Sequence, residues 1–298
     1  MSTKTQVIRP ASAEGVFSPN RETADIFVPD ETPVPDAFAR TTHMGILAHQ
    51  DDLEIGAYHG ITECFRSTEK WFAGVVVTDG GGSPRTGPYG DFNDEEMKEV
   101  RRVEQRKAAY IGEYAIQLQL SHPSSYLKSP PAEDAVEDLR RVLELAQPEV
   151  LYLHNPCDRH DTHVVTLLRT LEAIRRLPKE KRPSKAYGVE VWRKLDWLVA
   201  DDKEMLPVDK FPNMASPLIG VFDSQISGGK RYDLAEEGLR RANATYFDSH
   251  TTDGANQMTF AMDLTPLMEN DDLSVEEFAV GYVDRLRADV SERVKKYV

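Results

Sequence analysis

The sequence predicts an α/β protein with a mostly parallel sheet. Three observations predict it. Short apolar runs at 42–48, 72–78 and 150–154 read as buried strands, stretches of helical period separate them, and each run ends in a polar loop. Strand, helix and strand at this spacing require crossover connections, which join parallel strands. In such sheets ligands bind beyond the carboxyl ends of the strands.

Residues 1–40 contain Pro10, Pro19, Pro29, Pro33 and Pro35 and no sustained period. That predicts an extended proline-containing arm, wrapped on its own core or on a partner subunit. Residues 41–298 read as one α/β domain, and a chain of this length buries roughly 75% of the surface its unfolded form exposes. The first strand, 42–48, runs into His49-Gln50-Asp51-Asp52, and Ile55, Tyr58, His59 and Thr62 then carry a helical pattern. The second, 72–78, closes on Asp79-Gly80-Gly81-Gly82. Helices are expected at 94–114 and at 133–146, the latter stopped by Pro148. The third strand, 150–154, leads through a loop to a helix at 161–176. After a solvated basic connector at 178–183, residues 189–199 and 218–222 read as strands and 234–247 as a helix. Ser274-Val275-Glu276-Glu277 is a capping box that opens a C-terminal helix with Ala279, Val283, Leu286, Val290 and Val294 on one face. That face and the arm together predict a homo-oligomer.

Composition excludes several classes of function. The 36 Lys and Arg against 50 Asp and Glu give a net charge of −14, whereas nucleic acid and anionic membranes select basic surfaces. A hydrophobic content of 40% and a charged content of 29% exclude collagen-like and disordered chains. Cys64 and Cys157 form neither a metal-type pair nor a disulfide framework, which removes cysteine ligation and fits a reducing compartment. No apolar run approaches the ~20 residues of a membrane span, and the N-terminus lacks a signal-type apolar stretch, so a cytoplasmic protein is expected. A dinucleotide fingerprint from Gly80 fails at Arg85, as does a nucleophile elbow at Ser83, and Gly229-Lys230 lacks the frame of a phosphate loop.

One constellation survives. His49 and Asp52 are three apart at the end of the first strand, with Asp51 between them, and His160 and His163 are three apart where the helix after the third strand begins. Residues at i and i+3 project to one side, so each segment can present two side chains to one point. Two histidines and a carboxylate with an open fourth position form the ligand set of a catalytic zinc site, and these donors also admit Fe(II) or Co(II). Each half alone has a plainer reading: an Asp pair after a strand caps a helix, and His-x-x-His lies on a helix surface. What favours the site is that both halves fall at strand ends of one sheet.

These residues resemble a known family. The segment MGILAHQDDLEIGAYHG is similar to the signature of the LmbE/PIG-L family of zinc-dependent N-acetylglucosaminyl deacetylases, which reads A-H-P-D-D-x-E or A-H-P-D-D-E before a glycine-containing helix. The resemblance continues through Thr78-Asp79-Gly80, Arg101-x-x-Glu104 with Ala108 and Gly112, and His160-x-x-His163, over about residues 42–175. It implies a Rossmann-like three-layer fold with the active site at the carboxyl ends of the strands. It implies His49, Asp52 and His163 as metal ligands, with Zn(II) ahead of Fe(II) and Co(II). It implies Asp51 as general base and His160 as the group that polarises the carbonyl or protonates the leaving amine, with Arg101 touching substrate or supporting the site.

The implied activity is hydrolysis of an N-acyl group from a small amino-sugar conjugate of the N-acetylglucosamine type. Two positions depart from the pattern. The usual proline after the first histidine is Gln50, which is expected to loosen the loop. The usual H-x-D-H is His160-Asp161-Thr162-His163, which leaves Asp158 or Asp161 to orient His160. Two rivals are an inactive carbohydrate-binding or regulatory protein of the same fold, against which Asp51 stands, and a phosphoesterase, which lacks carboxylates for a second metal.

Overall fold

The computed structural model describes residues 15–298, so the start of the expected arm, residues 1–14, lies outside the described residues. The remainder of that segment is not an extended arm. It forms β1 (Asp25–Phe27) and α1 (Val34–Ala39), and Phe17, Ile26, Val34, Ala37 and Phe38 are buried in the main core. The prolines delimit short elements here: Pro33 is the N-cap of α1. This stretch wraps its own domain, and its apolar residues are what hold it there.

The central strands follow, each with the crossover the sequence requires. β2 (His43–Leu47) is followed by α2 (Asp52–Gly56) and α3 (Tyr58–Cys64), and β3 (Phe72–Thr78) by α4 (Asp94–Ile111). β4 (Ile116–His122) leads to α5 (Ser124–Leu127) and α6 (Glu133–Ala146), and β5 (Val150–His154) to α7 (Asp161–Arg175). The chain continues with β6 (Lys185–Val189), β7 (Glu204–Pro207), α8 (Ala215–Gly220), α9 (Asp223–Ile226) and α10 (Tyr232–Tyr246). It closes with β8 (Met258–Asp263), α11 (Thr265–Glu269) and α12 (Val275–Lys295). No helix among the described residues is long and apolar enough to cross a membrane.

The eight strands of the described residues join one sheet in the order β1-β4-β3-β2-β5-β6-β8-β7. The five central strands are parallel, while β1 pairs antiparallel with β4, and β8 antiparallel with β6 and β7. The sheet is therefore mixed at its margins and parallel where the sequence predicts it. Side chains alternate across it: Met44 and Ile46 of β2 enter one apolar cluster and Leu47 enters the other. Burying each such side chain contributes roughly 1.5–3 kcal/mol. Parallel strands covered on both faces carry continuous apolar runs, which explains the uninterrupted burial of β2 and β3.

Two expected strands are absent. Residues 190–199 turn irregularly after β6, and 218–222 overlap α8. A five-residue apolar run has no resolvable period; here Leu218 and Ile219 lie in α8, Phe222 caps α9, and Leu218 and Phe222 enter the second apolar cluster.

The topology places the two halves of the sequence constellation together. From β2 the chain moves outward to β3 and β4, then returns across the sheet to β5 on the other side of β2. Adjacent parallel strands whose connections depart to opposite sides leave a crevice beyond their carboxyl ends. His49 follows β2 and His160 follows β5, so both face that crevice.

Candidate active site

The end of β2 is pinned before the site begins. Thr78, the last residue of β3, donates its backbone N–H and its hydroxyl to the Ala48 carbonyl, at 2.9 and 2.8 Å. The Ala48 N–H donates to His154 Nε2 at the end of β5, at 2.9 Å. Asp51 then adopts φ 92° and ψ −30°, an uncommon backbone state for a residue with a side chain and one found preferentially at functional sites. Asp51 occupies the N-cap position of α2 without making a cap bond, so the plainer reading of this carboxylate does not apply. Asp52 turns back instead, and its Oδ2 accepts the His49 N–H at 2.8 Å.

Three donor atoms converge. His49 Nδ1 lies 3.1 Å from Asp52 Oδ2 and 3.1 Å from His163 Nε2, and His163 Nε2 lies 3.2 Å from Asp52 Oδ2. A tetrahedral zinc with bonds near 2.0–2.1 Å needs donors about 3.3 Å apart, and the observed triangle fits that requirement. His154 also approaches, with its ring stacked 3.8 Å from that of His163 and its Nε2 3.6 Å from Asp52 Oδ2. Two overlapping groups can therefore be drawn, His49 with His160 and His163, and Asp52 with His154 and His163. The Nε2 lone pair of His154 already accepts the Ala48 N–H, which leaves that atom unsuited to a cation. His49, Asp52 and His163 remain the donors with free lone pairs facing one point.

The electrostatics favour a cation at this point. Burial opposes a charge on His163, but the Asp52 and Asp158 carboxylates outweigh it and hold the imidazole up at about 9. Burial likewise opposes the Asp52 charge, and His163 and His49 overcome it to hold the carboxyl well below its usual range. Asp51 behaves oppositely. Burial raises it to about 7 against the pull of Arg101, which is the range suited to exchanging a proton near neutrality.

Asp158 and Asp161 separate clearly. Asp158 Oδ2 lies 3.4 Å from His163 Nδ1 and accepts the Trp192 N–H at 3.1 Å, while its Oδ1 accepts the His160 N–H at 2.9 Å. The aspartate thus faces the ring of His163, and its only bond to His160 is to the backbone. Asp161 is exposed at the start of α7. Contrary to the sequence expectation, neither carboxylate bonds to the ring of His160; His160 Nδ1 accepts the Thr162 N–H at 3.2 Å. The remaining nitrogen of His160 is free, and the residue lines the cleft. Burial, then His163, lowers its pKa.

Arg101 is 1% exposed. Its Nη2 donates to the Gln50 carbonyl and lies 3.3 Å from Asp51 Oδ2, and its Nη1 lies 3.9 Å from Glu104 Oε2. Arg101 therefore lies between Glu104 and the Asp51 carboxylate. Gln50 does not loosen its loop. Its amide is buried and donates to the Thr78 carbonyl at 3.4 Å and to Gln119 Oε1 at 3.3 Å. Gly80, at φ +73°, is required here, because a Cβ would stand 2.5 Å from Gln50 Oε1.

His49, Asp51, Asp52, Arg101 and His160 form the floor of a cleft of about 490 Å³. One wall is Thr78, Asp79 and Gly80; the facing wall is Trp192, Lys194, Lys230, Tyr232 and Glu236. The second wall comes from beyond α7, where the sequence carries no motif that marks it. Nor does the sequence give His154 its central place.

Residues 44–174 match the family model PIG-L, described as GlcNAc-PI de-N-acetylase. No curated protein sequence matches the chain. Among solved structures, the N,N'-diacetylchitobiose deacetylase of Pyrococcus horikoshii is similar at 16% identity, covering 77% of this chain and 86% of its own, with a TM-score of 0.60. A 4-carboxy-2-hydroxymuconate hydratase of Pseudomonas putida is similar at 15% identity, covering 75% and 96%, with a TM-score of 0.58. A deacetylase of the teicoplanin biosynthesis pathway is similar at 14% identity, covering 78% and 100%, with a TM-score of 0.54. At these identities the likeness shows a shared fold, and the hydratase illustrates that one fold hosts more than one chemistry.

Proposed function

We propose that this chain, whose residues 44–174 belong to the PIG-L (LmbE-like) family, is a metal-dependent hydrolase that removes an N-acetyl group from a small N-acetylglucosamine-type conjugate. One observation carries the reading: the triangle of His49 Nδ1, Asp52 Oδ2 and His163 Nε2, with sides of 3.1, 3.1 and 3.2 Å, beside a carboxylate that is not part of it. The family match and the deacetylases among the structural neighbours support it.

His49, Asp52 and His163 would hold the ion, with zinc first among N/O-binding metals and Fe(II) or Co(II) compatible with the same donors. When bound, the ion supplies Lewis acidity to the substrate carbonyl and to an attacking water. Asp51 takes the proton from that water as its oxygen bonds to the acyl carbon. Burial acts to raise its carboxyl against the pull of Arg101, which suits it to accept a proton and pass it on. Arg101, 3.3 Å away, holds the carboxylate toward the cleft and opposes its burial. His160, with one ring nitrogen free, donates a hydrogen bond to the developing oxyanion or a proton to the departing nitrogen. The C–N bond breaks, and the products are acetate and a free amine.

The test is acetate release over a panel of N-acetylglucosamine conjugates, with phosphate release from phosphoesters measured alongside. Acetate release that Asp51→Asn abolishes, with no phosphate release, is expected. Absence of turnover on every N-acetyl compound would leave the inactive binding protein as the better account.

A further inference from the structure

The second wall of the cleft turns irregularly except at α9, which is four residues long and tied to α4 and to the loop that precedes it. In the interior, Glu104 of α4 gives both carboxylate oxygens to one residue: Oε1 accepts the Ser224 N–H and Oε2 the Ser224 hydroxyl, each at 2.7 Å. Nearer the surface, the Tyr89 hydroxyl donates to Asp223 Oδ2 at 2.6 Å, and Asp223 Oδ1 accepts the Ser227 hydroxyl at 2.6 Å. Behind α9 the chain turns sharply. The Lys230 N–H returns to the Gln225 carbonyl at 2.9 Å, and Gly228 is required because a Cβ there would stand 2.0 Å from the Ser224 carbonyl oxygen. Glu104 is 3% exposed, and burying a carboxylate is unfavourable unless it is paired and hydrogen-bonded. What it adds to packing is direction, since two bonds hold Ser224 in one orientation and its neighbour with it.

That neighbour is Gln225. It is 4% exposed and lines the cleft, and its backbone is fixed on both sides, the N–H on the Phe222 carbonyl at 3.0 Å and the carbonyl on the Lys230 N–H. Its side chain is almost without partners. Nε2 makes one long contact, 3.4 Å to Ser224 Oγ, and among the described residues Oε1 accepts no hydrogen bond. Buried side-chain polar groups ordinarily have partners. Other polar groups of the same wall are engaged: Lys194 pairs with Glu236 at 2.8 Å, and Lys230 lies over the Trp192 indole.

A side-chain amide presents a donor and an acceptor side by side. A hydroxyl matches that pair because it both donates and accepts, whereas a carboxylate or phosphate would leave Oε1 facing another acceptor. From the anchoring and the unpartnered amide we infer that Gln225 is a specificity-determining residue that hydrogen-bonds a sugar hydroxyl of the substrate, with Glu104 and Ser224 as the positioning residues that aim it. The inference rests on the reading of the cleft as the substrate site of a sugar deacetylase.

Equilibrium binding of methyl N-acetylglucosaminide and its monodeoxy forms tests it, measured by calorimetry on zinc-reconstituted Asp51→Asn protein, which leaves the ligand unhydrolysed, with and without Gln225→Ala. The added Gln225→Ala change is expected to weaken the parent sugar by about tenfold. One monodeoxy sugar is expected to bind equally with and without it, because the group that Gln225 meets is already gone. Ser224→Ala in place of Gln225→Ala, which removes one of the two bonds to Glu104, is expected to give a smaller loss of the same pattern. Unchanged affinity for the parent sugar on Gln225→Ala would overturn the inference, and so would no binding of the parent sugar at all. A loss shared by every monodeoxy sugar would also overturn it, since that marks a collapsed wall and not a missing hydrogen bond. Unchanged binding in Ser224→Ala would overturn the positioning role. Acetate release by wild type is scored separately. Turnover without the Gln225 pattern defeats this inference alone, and the Gln225 pattern without turnover defeats the hydrolase and leaves a sugar-binding cleft.

Discussion

The two walls of the cleft were built by different parts of the chain and under different constraints. The floor and first wall come from residues 49–101 and 158–163, where each polar group is fixed by the end of a strand, a helix start or a buried partner. The second wall comes from residues 191–236, which turn irregularly, form the short helices α8 and α9 and enter α10. Chemistry requires fixed donors at fixed separations, so the first region is constrained by geometry. Substrate contact requires only a suitable surface, and the second region is constrained far less. The bond between Asp158 and the Trp192 N–H joins them.

This comparison breaks most visibly at Asp51. Asp51→Asn keeps the shape but removes the proton acceptor, and kcat is expected to fall by about 10²–10⁴-fold with metal content unchanged. A smaller loss, confined to KM, would move Asp51 from the chemistry to the binding wall. Asp158→Ala is expected next. It removes the carboxylate facing His163 Nδ1, and metal affinity read by competition with a chelator should fall about 10–100-fold. Unchanged affinity would reduce Asp158 to a brace for the Trp192 loop.

Trp192→Ala sharpens the comparison from the other side. Its indole lines the cleft with Lys230 placed 5.1 Å over the ring, so KM should rise by about tenfold while kcat holds, because a contact shared by ground and transition states affects binding alone. The smallest effect is on stability. Burial pushes Glu54 up to about 8, against hydrogen bonds from Tyr114 and Gln105. Between about pH 4.5 and 8 the folded protein keeps a proton that the unfolded chain releases, so this contribution is complete below 4.5 and is lost as pH rises through 8. Glu54→Gln removes the dependence. Denaturant melts at pH 5 and pH 8 should show the variant gaining on wild type only at the higher pH.

The same contrast explains what could be read from sequence. β2, β3 and β5 were legible because strands buried on both faces are uninterrupted apolar runs, and α4, α6 and α7 because their periods are long. The candidate ligands were legible because i, i+3 spacing at strand ends has few other uses, although placing both ends in one crevice required the order β3-β2-β5. β1, with three residues, offers too short a run, and the 218–222 run fits a helix face as well as a strand. His154 was legible as a strand residue only; its role at the centre follows from the Ala48 N–H, a contact 106 positions away. Glu54 stands in the first turn of α2, where the local sequence gives no sign that contacts with Gln105 and Tyr114 make it a buried acid.

In the proposed reading His49, Asp52 and His163 converge on one divalent ion. Elemental analysis of wild type and His163→Ala, each reconstituted with Zn(II), Fe(II) and Co(II), tests it most directly. Close to one metal ion per wild-type chain and its loss in the variant are expected, with both proteins folded by circular dichroism. Wild type that takes up none of the three ions, or a His163→Ala protein that binds as much metal as wild type, would contradict it.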